Sequence, residues 1–315
     1  MNHHTKTKIA LALTRRTHER ERPTEGAPRP GVLTGWILSF LFAVTVIPAA
    51  FADDQPVISS PANPPAGNPE GAFRIFYIGD SLTAYGVDAP NPKVTRWFHS
   101  PGMAASSVSN DYAHRLAALI QPTLGGQKVE VCYPLFPPDF TKTYAQLNAK
   151  YGSYGSAGAR AETIDISRTI QPNLVVIQLG EHENGADGFK ASRASYEKLF
   201  ALLESWTPKP MIICTGRWSP STPKPGESTS EYSGSMAVAA ECDHMISQVC
   251  QEYGVPFVSM ADLALDPSCR GSSLGWENNN PDGAKWHPND KGHQGYANHI
   301  FAAYEKARAA SPTSK

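Results

Sequence analysis

The sequence predicts an α/β protein, a three-layer α/β/α sandwich with a five-stranded parallel sheet. Five short segments with the character of strands alternate with segments of helical periodicity, and the connections between them are long enough for parallel pairing. The first and third of these segments are apolar almost throughout, which is typical of strands covered on both faces. The sequence contains no internal repeat that would favour another architecture.

Each element follows from a local pattern of apolar residues. The predicted strands, in chain order, are residues 73–78, 128–133, 173–180, 210–214 and 256–260. The predicted helices are residues 111–120, about 189–206, about 235–253 and about 290–309. Two long loops are predicted to form the walls of a cleft, residues 84–109 with Trp97 and residues 216–233 with Arg217 and Trp218. The alternative is that Trp97 and Trp218 belong to the core.

The first 52 residues have the features of an export signal. A basic segment precedes the apolar run 32–44, and the small-x-small sequence Ala50-Phe51-Ala52 follows it. We therefore predict a signal peptide with cleavage after Ala52, and a secreted or periplasmic protein. The alternative is an uncleaved N-terminal anchor, for which an apolar length of roughly 20 residues would suffice.

The remaining chain is predicted to contain one domain. Residues 53–72 are a Pro-rich linker, residues 73–309 are the α/β domain and residues 310–315 are a tail. Without residues 1–52, the chain keeps 21 of its 28 Lys and Arg and 26 of its 29 Asp and Glu, a net charge of −5. It has no basic patch, so we predict neither a nucleic-acid partner nor membrane contact beyond the export signal. The oligomeric state stays open.

The cysteines and histidines do not predict a metal or a cofactor. All five cysteines lie after residue 52, their number is odd, and no CxxC spacing occurs. We assign no disulfide from the sequence. The histidines His182, His293 and His299 form no convincing ligand set for a metal.

A serine follows the first predicted strand directly. The strand runs into Gly79-Asp80-Ser81, which places the Ser81 hydroxyl at the carboxyl edge of the sheet. A serine at such an edge is a candidate nucleophile, because strand ends are rigidly held yet open to a ligand. The alternative is a serine that caps the next helix.

Three further segments are predicted to reach the same edge. Gly158 lies in a glycine-rich segment after the second strand, the polar cluster 180–184 follows the third strand, and His287 precedes the last helix. Because the carboxyl ends of parallel strands meet at one edge, these segments are expected to converge on Ser81.

This order of residues resembles the SGNH hydrolases, the GDSL esterase/lipase superfamily, whose four sequence blocks supply Ser, Gly, Asn and His. The resemblance extends over residues 73–309 and implies a flavodoxin-like sheet. It implies that Ser81 is the nucleophile, that the N–H groups of Ser81 and Gly158 are oxyanion donors, and that His287 is the general base. It is closest to a bacterial subgroup with a segment like Gly102-Met103-Ala104-Ala105-Ser106 and a last block like His287-Pro288-Asn289-Asp290-Lys291-Gly292.

The sequence departs from the family pattern at two places. The third block reads Gly180-Glu181-His182 instead of Gly-x-Asn, so the third oxyanion donor is either Asn184, which we slightly favour, or His182. The acid that usually lies three residues before the histidine is replaced by Ala284. Asp282 is the nearest acid that could orient His287, and a backbone carbonyl is the alternative.

The resemblance and the residues together predict an exported serine esterase that hydrolyses carboxylic esters. The aromatic and hydroxyl-rich loops favour a small-molecule or carbohydrate ester as substrate, for example an O-acetylated sugar, over a long acyl chain. One alternative is a periplasmic polysaccharide O-acetyltransferase. Another is a non-catalytic carbohydrate-binding or assembly module on the same fold, which the altered third block would favour.

Overall fold

A computed structural model of the chain describes residues 64–83, 102, 104–133, 164–181, 183, 185, 187–219, 229–271 and 286–310, with the backbone alone at 166 and 229–235. All of these residues belong to one of the two units into which the chain divides, Ala52–Lys315. The predicted signal peptide lies outside the described residues. Within the described ranges, none of the helices combines the length and the apolar character needed to cross a bilayer.

The centre of the fold is a five-stranded sheet in which every neighbouring pair is parallel. Its strands are β1 (Phe73–Gly79), β2 (Val129–Cys132), β3 (Leu174–Gln178), β4 (Met211–Thr215) and β5 (Phe257–Val258). The strand order β2-β1-β3-β4-β5 is the flavodoxin-like one, in which the chain reverses direction across the sheet between β1 and β3. The predicted fold class is confirmed, and the carboxyl ends of β1 and β3 are the place where such sheets bind ligands.

Five α-helices are present in the described ranges. They are α1 (Tyr112–Ile120), α2 (Lys190–Glu204), α3 (Thr229–Glu252), α4 (Ala261–Leu265) and α5 (Asp290–Ala310). Helix α3 begins inside the segment 216–233 that the sequence predicts as a loop, so that prediction is wrong at its carboxyl end. The polar and glycine-containing first turns of α3 lack the apolar periodicity that marks a helix. Helix α4 is too short to show a period.

The helices cover both faces of the sheet. Along β1, Phe76 and Ile78 pack with residues of α2 and α3, whereas Ile75 and Tyr77 pack with residues of α1 and α5. The alternation arises because successive side chains of a strand point to opposite faces. Both faces of β1 and β3 are therefore buried in apolar cores, which explains why their sequences are apolar almost throughout.

The amino edge of the sheet contains a buried ion pair. Arg74 in β1 is 1% exposed, and its Nε donates to Glu130 Oε2 in β2 at 2.9 Å. Its Nη1 donates to the carbonyl oxygens of Ile170 at 2.7 Å and of Pro65 at 2.8 Å. One guanidinium thus joins two strands to the segment before β3 and to the end of the predicted linker.

We expect Arg74→Met to lower the free energy of unfolding by ~3 kcal/mol, because the substitution leaves the Glu130 carboxylate buried without its main partner. Urea denaturation would measure the change. Arg168 and Asp165 form an exposed pair at 3.3 Å, so Arg168→Met, the matched control, should cost less than ~1 kcal/mol. A loss for Arg74→Met no larger than that of the control would contradict this account.

Candidate active site

Ser81 lies in a tight turn at the carboxyl end of β1. The Thr83 N–H donates to the Asp80 carbonyl at 2.9 Å and closes the turn. A Cβ on Gly79 would lie 1.8 Å from Thr83 Oγ1, so only glycine allows the turn to fold back this closely. The turn leaves Ser81 partly exposed while Asp80 and Thr83 are buried.

Buried polar groups from β3 and α1 hold this turn in place. Gln178 Oε1, at the end of β3, accepts hydrogen bonds from Thr83 Oγ1 at 3.0 Å and from the Asp80 N–H at 3.3 Å. The Thr83 hydroxyl has one hydrogen, so Tyr112 must donate in the 2.7 Å contact between the two hydroxyls. Burial raises the pKa of Tyr112, which keeps its phenol protonated for this role.

His287 lies within hydrogen-bond distance of Ser81. The His287 Nε2 atom is 2.7 Å from Ser81 Oγ, although 206 positions separate the two residues in the sequence. His287 is 7% exposed, so the residue is largely shielded from water. When Nε2 carries no proton it can accept the Ser81 hydroxyl hydrogen, which is the arrangement that activates a serine.

Backbone contacts fix the segment that carries His287. The Gly271 N–H donates to the His287 carbonyl at 3.2 Å, and the Asn289 N–H donates to the Cys269 carbonyl at 3.0 Å. The Asn289 side chain adds a hydrogen bond to the Arg270 carbonyl at 3.1 Å. The approach to helix α5 is therefore paired with the segment after α4 before the helix begins.

Asp290 joins two of the motifs found in the sequence. Its Oδ1 accepts the Ser106 N–H at 2.8 Å, and its Oδ2 accepts the Ser106 hydroxyl at 2.5 Å and Asn110 Nδ2 at 3.2 Å. Asp290 also lies in the first turn of α5, where a negative charge is favourable. The last sequence block is thereby attached to the Gly102–Ser106 segment.

Two carboxyl groups near this edge of the sheet have raised pKa values. Burial, with a further contribution from the Asp80 charge, raises the pKa of Glu181 from 4.5 to about 7. Part of the residue reaches solvent, but the Glu181 Oε2 atom is buried and has no hydrogen-bond partner among the described residues. Burial likewise raises the pKa of Asp243, on α3, to about 6.

The structure brings Ser81 and His287 together, and it leaves the other predicted site residues undescribed. Gly158, His182, Asn184 and Asp282 lie outside the described residues, as does Trp97 in the first predicted cleft wall. The third oxyanion donor and the acid that orients His287 therefore remain predictions.

The structure decides between the two interpretations of Trp218. The residue does not line a cleft wall, because it is 0% exposed and packs in the core between the sheet, α1 and α5. The surrounding sequence is polar and rich in proline, which suggested a surface loop. A tryptophan in such a segment needs a buried environment for its large apolar ring, and the sheet edge supplies one.

Sequence reasoning assigned no role to Gln178 or to Asp290. Gln178 could have been noticed as a polar residue inside an otherwise apolar strand, which is costly unless it is hydrogen-bonded. Asp290 stands in the last block, but its partners Ser106 and Asn110 are distant in the sequence and no local pattern points to them.

We expect Asp290→Ala to lower the free energy of unfolding by ~2 kcal/mol, because three donors on Ser106 and Asn110 lose their acceptor. Asp262 is 65% exposed and lies 3.5 Å from His299, so Asp262→Ala serves as the control and should change stability by less than ~0.5 kcal/mol. Urea denaturation of the two variants measures the difference. Equal losses would show that the Asp290 contacts do not stabilise the fold.

We expect Glu181 to make the protein less stable as pH rises from 4.5 to 7. The folded state holds the Glu181 proton up to about pH 7, whereas the unfolded chain loses it near pH 4.5, so raising the pH through this window favours unfolding. Wild type should lose up to about 3 kcal/mol more than Glu181→Gln over that range. Urea denaturation at a series of pH values tests this. Glu197→Gln, on the exposed side of α2, should instead follow wild type, and identical curves for Glu181→Gln would reject the raised pKa.

Comparisons with solved structures find similar folds at low sequence identity. An extracellular lipase from Streptomyces rimosus is 15% identical, with a TM-score of 0.47 over 74% of this chain and 100% of that one. A carbohydrate acetylesterase from Sinorhizobium meliloti is 15% identical, with a TM-score of 0.41 over 75% of this chain and 99% of that one. A two-domain esterase active on acetylated mannans is 15% identical, with a TM-score of 0.43 over 78% of this chain and 54% of that one.

Comparisons of sequence give one result that assigns a family. No curated protein sequence matches the chain. The model of the GDSL-like lipase/acylhydrolase family matches residues 77–294, a range that includes both Ser81 and His287. Since this match extends over more than half of the 315 residues, the chain belongs to the GDSL-like lipase/acylhydrolase family.

Proposed function

We propose that this protein is an exported serine esterase that hydrolyses carboxylic esters. The observation that supports the proposal most directly is the 2.7 Å contact between Ser81 Oγ and His287 Nε2. A serine and an unprotonated imidazole nitrogen at this distance can transfer a proton, which is the first requirement for a serine nucleophile. Membership of the GDSL-like lipase/acylhydrolase family supports an ester as the bond that is cleaved.

In the proposed mechanism, His287 Nε2 accepts the hydroxyl proton as Ser81 Oγ attacks the ester carbonyl carbon. The resulting tetrahedral intermediate collapses when His287 returns the proton to the leaving alcohol, and the acyl group stays on Ser81. A water molecule then attacks the acyl-enzyme while His287 takes one of its protons. His287 returns this proton to Ser81 Oγ as the acyl–oxygen bond breaks, and the carboxylic acid is released. His287 thus serves as base and acid in both halves of the reaction.

The oxyanion of each intermediate needs donors that are already in place. Among the described residues, the Ser81 N–H has no acceptor, which leaves it available for a substrate oxygen. We assign the second donor to the Gly158 N–H and the third to Asn184 or His182. We also assign Asp282, or a backbone carbonyl, to the His287 Nδ1–H, which would hold the ring in the tautomer that leaves Nε2 free.

We propose O-acetyl groups on carbohydrate as the substrate class. Trp286 is partly exposed, and its ring meets the His287 ring edge to face with the centroids 4.9 Å apart. An aromatic ring beside the general base can contact the sugar of a leaving alcohol, whereas a long acyl chain would need an apolar tunnel. Export through the signal peptide 1–52 would bring the protein to such polymers.

The O-acetyltransferase alternative uses the same residues with a sugar hydroxyl in place of water. Release of free acetate when no sugar acceptor is present would favour the hydrolase. The non-catalytic alternative does not account for a serine and a histidine within hydrogen-bond distance at the ligand-binding edge of the sheet.

We expect wild type to hydrolyse p-nitrophenyl acetate faster than the octanoate ester, and to release acetate from acetylated xylan. Ser81→Ala and His287→Ala should each lower kcat by at least ~10³-fold, since either change removes the activated nucleophile. A fluorophosphonate should label wild type but not Ser81→Ala.

Two variants provide matched controls for these substitutions. Ser195 is partly exposed on α2, and His299 lies on α5 with its side chain 33% exposed, so Ser195→Ala and His299→Ala should retain wild-type activity and labelling. Wild type that neither reacts with the fluorophosphonate nor hydrolyses the acetate esters would reject the esterase. Activity that survives in Ser81→Ala would reject Ser81 as the nucleophile.

A further inference from the structure

Trp218 connects the ends of two strands to the segment that carries His287. It follows β4, and its backbone N–H donates to Glu181 Oε1, after β3, at 2.9 Å. Its indole Nε1–H donates to the carbonyl oxygen of Trp286 at 2.8 Å. Trp286 is the residue directly before His287, so the indole is hydrogen-bonded to the peptide unit that leads into the histidine.

This contact restrains one of the two peptide planes that meet at His287 Cα. A peptide unit is planar, so a restraint on the Trp286 carbonyl oxygen also restricts the direction of the His287 N–Cα bond. The plane on the other side is held by the Gly271 N–H, which donates to the His287 carbonyl at 3.2 Å. With both planes held, the direction of the His287 Cα–Cβ bond is restricted. The position of the imidazole then depends mainly on the side-chain torsions of His287.

Packing prevents the indole from leaving this position. Trp218 is 0% exposed and packs against Tyr296 of α5, with the ring centroids 6.1 Å apart. Its backbone N–H is held by Glu181, whose Oε2 atom is itself buried. The Trp286 carbonyl is thus hydrogen-bonded to a side chain that is held in place by its packing in the core.

We propose that Trp218 is a positioning residue that sets the orientation of the His287 imidazole toward Ser81. The inference rests on the proposed function in that it takes His287 as the general base. It adds a hydrogen bond from the protein core to the backbone of that base, separate from the acid that would bind its ring. Small displacements of a catalytic group have large effects on rate, about 10²-fold for 1 Å.

Trp218→Phe removes the indole N–H and keeps most of the aromatic packing. Trp206→Phe is the matched control, because Trp206 is also buried, at 4% exposure, and packs on the other face of the sheet against Phe76. The Trp206 Nε1 atom has no hydrogen-bond partner in the part of the chain that the structure describes, so its removal should not disturb a defined contact. Each variant replaces an indole by a phenyl ring, so the two substitutions are chemically identical.

The first measurement is the steady-state kinetics of p-nitrophenyl acetate hydrolysis, together with the rate of fluorophosphonate labelling. We expect Trp218→Phe to lower kcat and the labelling rate by about 10- to 100-fold with KM within about twofold. Trp206→Phe should stay within about twofold of wild type in all three. Thermal denaturation of each variant confirms that it is folded at the assay temperature.

The second measurement does not depend on catalysis. It is an NMR titration of the histidine ring protons, in which the His287 signal is identified by its loss in His287→Ala. We expect Trp218→Phe to shift the chemical shift and the pKa of the His287 ring, and Trp206→Phe to leave both unchanged.

The outcomes separate this inference from the proposed function. An active wild type with Trp218→Phe equal to wild type in kinetics and in the His287 titration would overturn the positioning role and leave the esterase intact. Similar losses of activity in both tryptophan variants would also overturn it, because they would reflect the loss of an indole in general. An inactive wild type would reject the esterase, and the NMR titration would still decide whether Trp218 orients His287.

Discussion

The hydrogen bond between Ser81 and His287 is the interaction on which the described site depends. Its two partners are 206 positions apart, so no local structure can bring them within 2.7 Å. The packing of α5 on one face of β1 does so, because it brings the segment before α5 to the carboxyl end of that strand. The polar contacts around the pair hold one partner or the other: Gln178 and Tyr112 fix the turn of Ser81, and Gly271 and Trp218 fix the backbone of His287. Because each segment is anchored separately, the distance between Ser81 and His287 can be held accurately although neither segment determines it alone.

The two edges of the sheet have different energetic characters. At the amino edge, Arg74 is paired with Glu130 and also donates to two carbonyl oxygens, so both buried charges there have partners. At the carboxyl edge, Glu181 and Asp243 are partly buried carboxyl groups whose pKa values are raised into the range near neutrality. Such groups cost stability, and they concentrate where a sheet of this kind binds its ligand. The buried charges at the amino edge are thus paired, whereas the carboxyl groups near Ser81 at the other edge form no ion pair with the described residues.

Much of the architecture follows from the sequence, because a strand covered on both faces is apolar over most of its length. The five strands and four of the helices were predictable from such runs and from helical periodicity, and the serine at the end of β1 was predictable from the turn that follows it. The position of Trp218 stayed open, since the side chains that bury it belong to the sheet, α1 and α5, which are distant in the sequence. The early start of α3 was missed because its first turns are polar and contain glycine, so tertiary context overrides local preference there.

The same reasoning explains why the sequence motifs contain residues with no part in the chemistry. A Cβ on Gly102 would lie 2.0 Å from the Leu82 carbonyl oxygen, beside Ser81, and a Cβ on Gly292 would lie 2.1 Å from the Cys269 carbonyl oxygen. Both glycines therefore permit two backbone segments to approach closely. Gly102 approaches the turn that contains Ser81, and Gly292 approaches the segment that is paired with the backbone around His287. Ser106 and Asp290 then join the two motifs by side-chain hydrogen bonds. The motifs thus specify how closely three segments can approach, and the distance between Ser81 and His287 results from that packing.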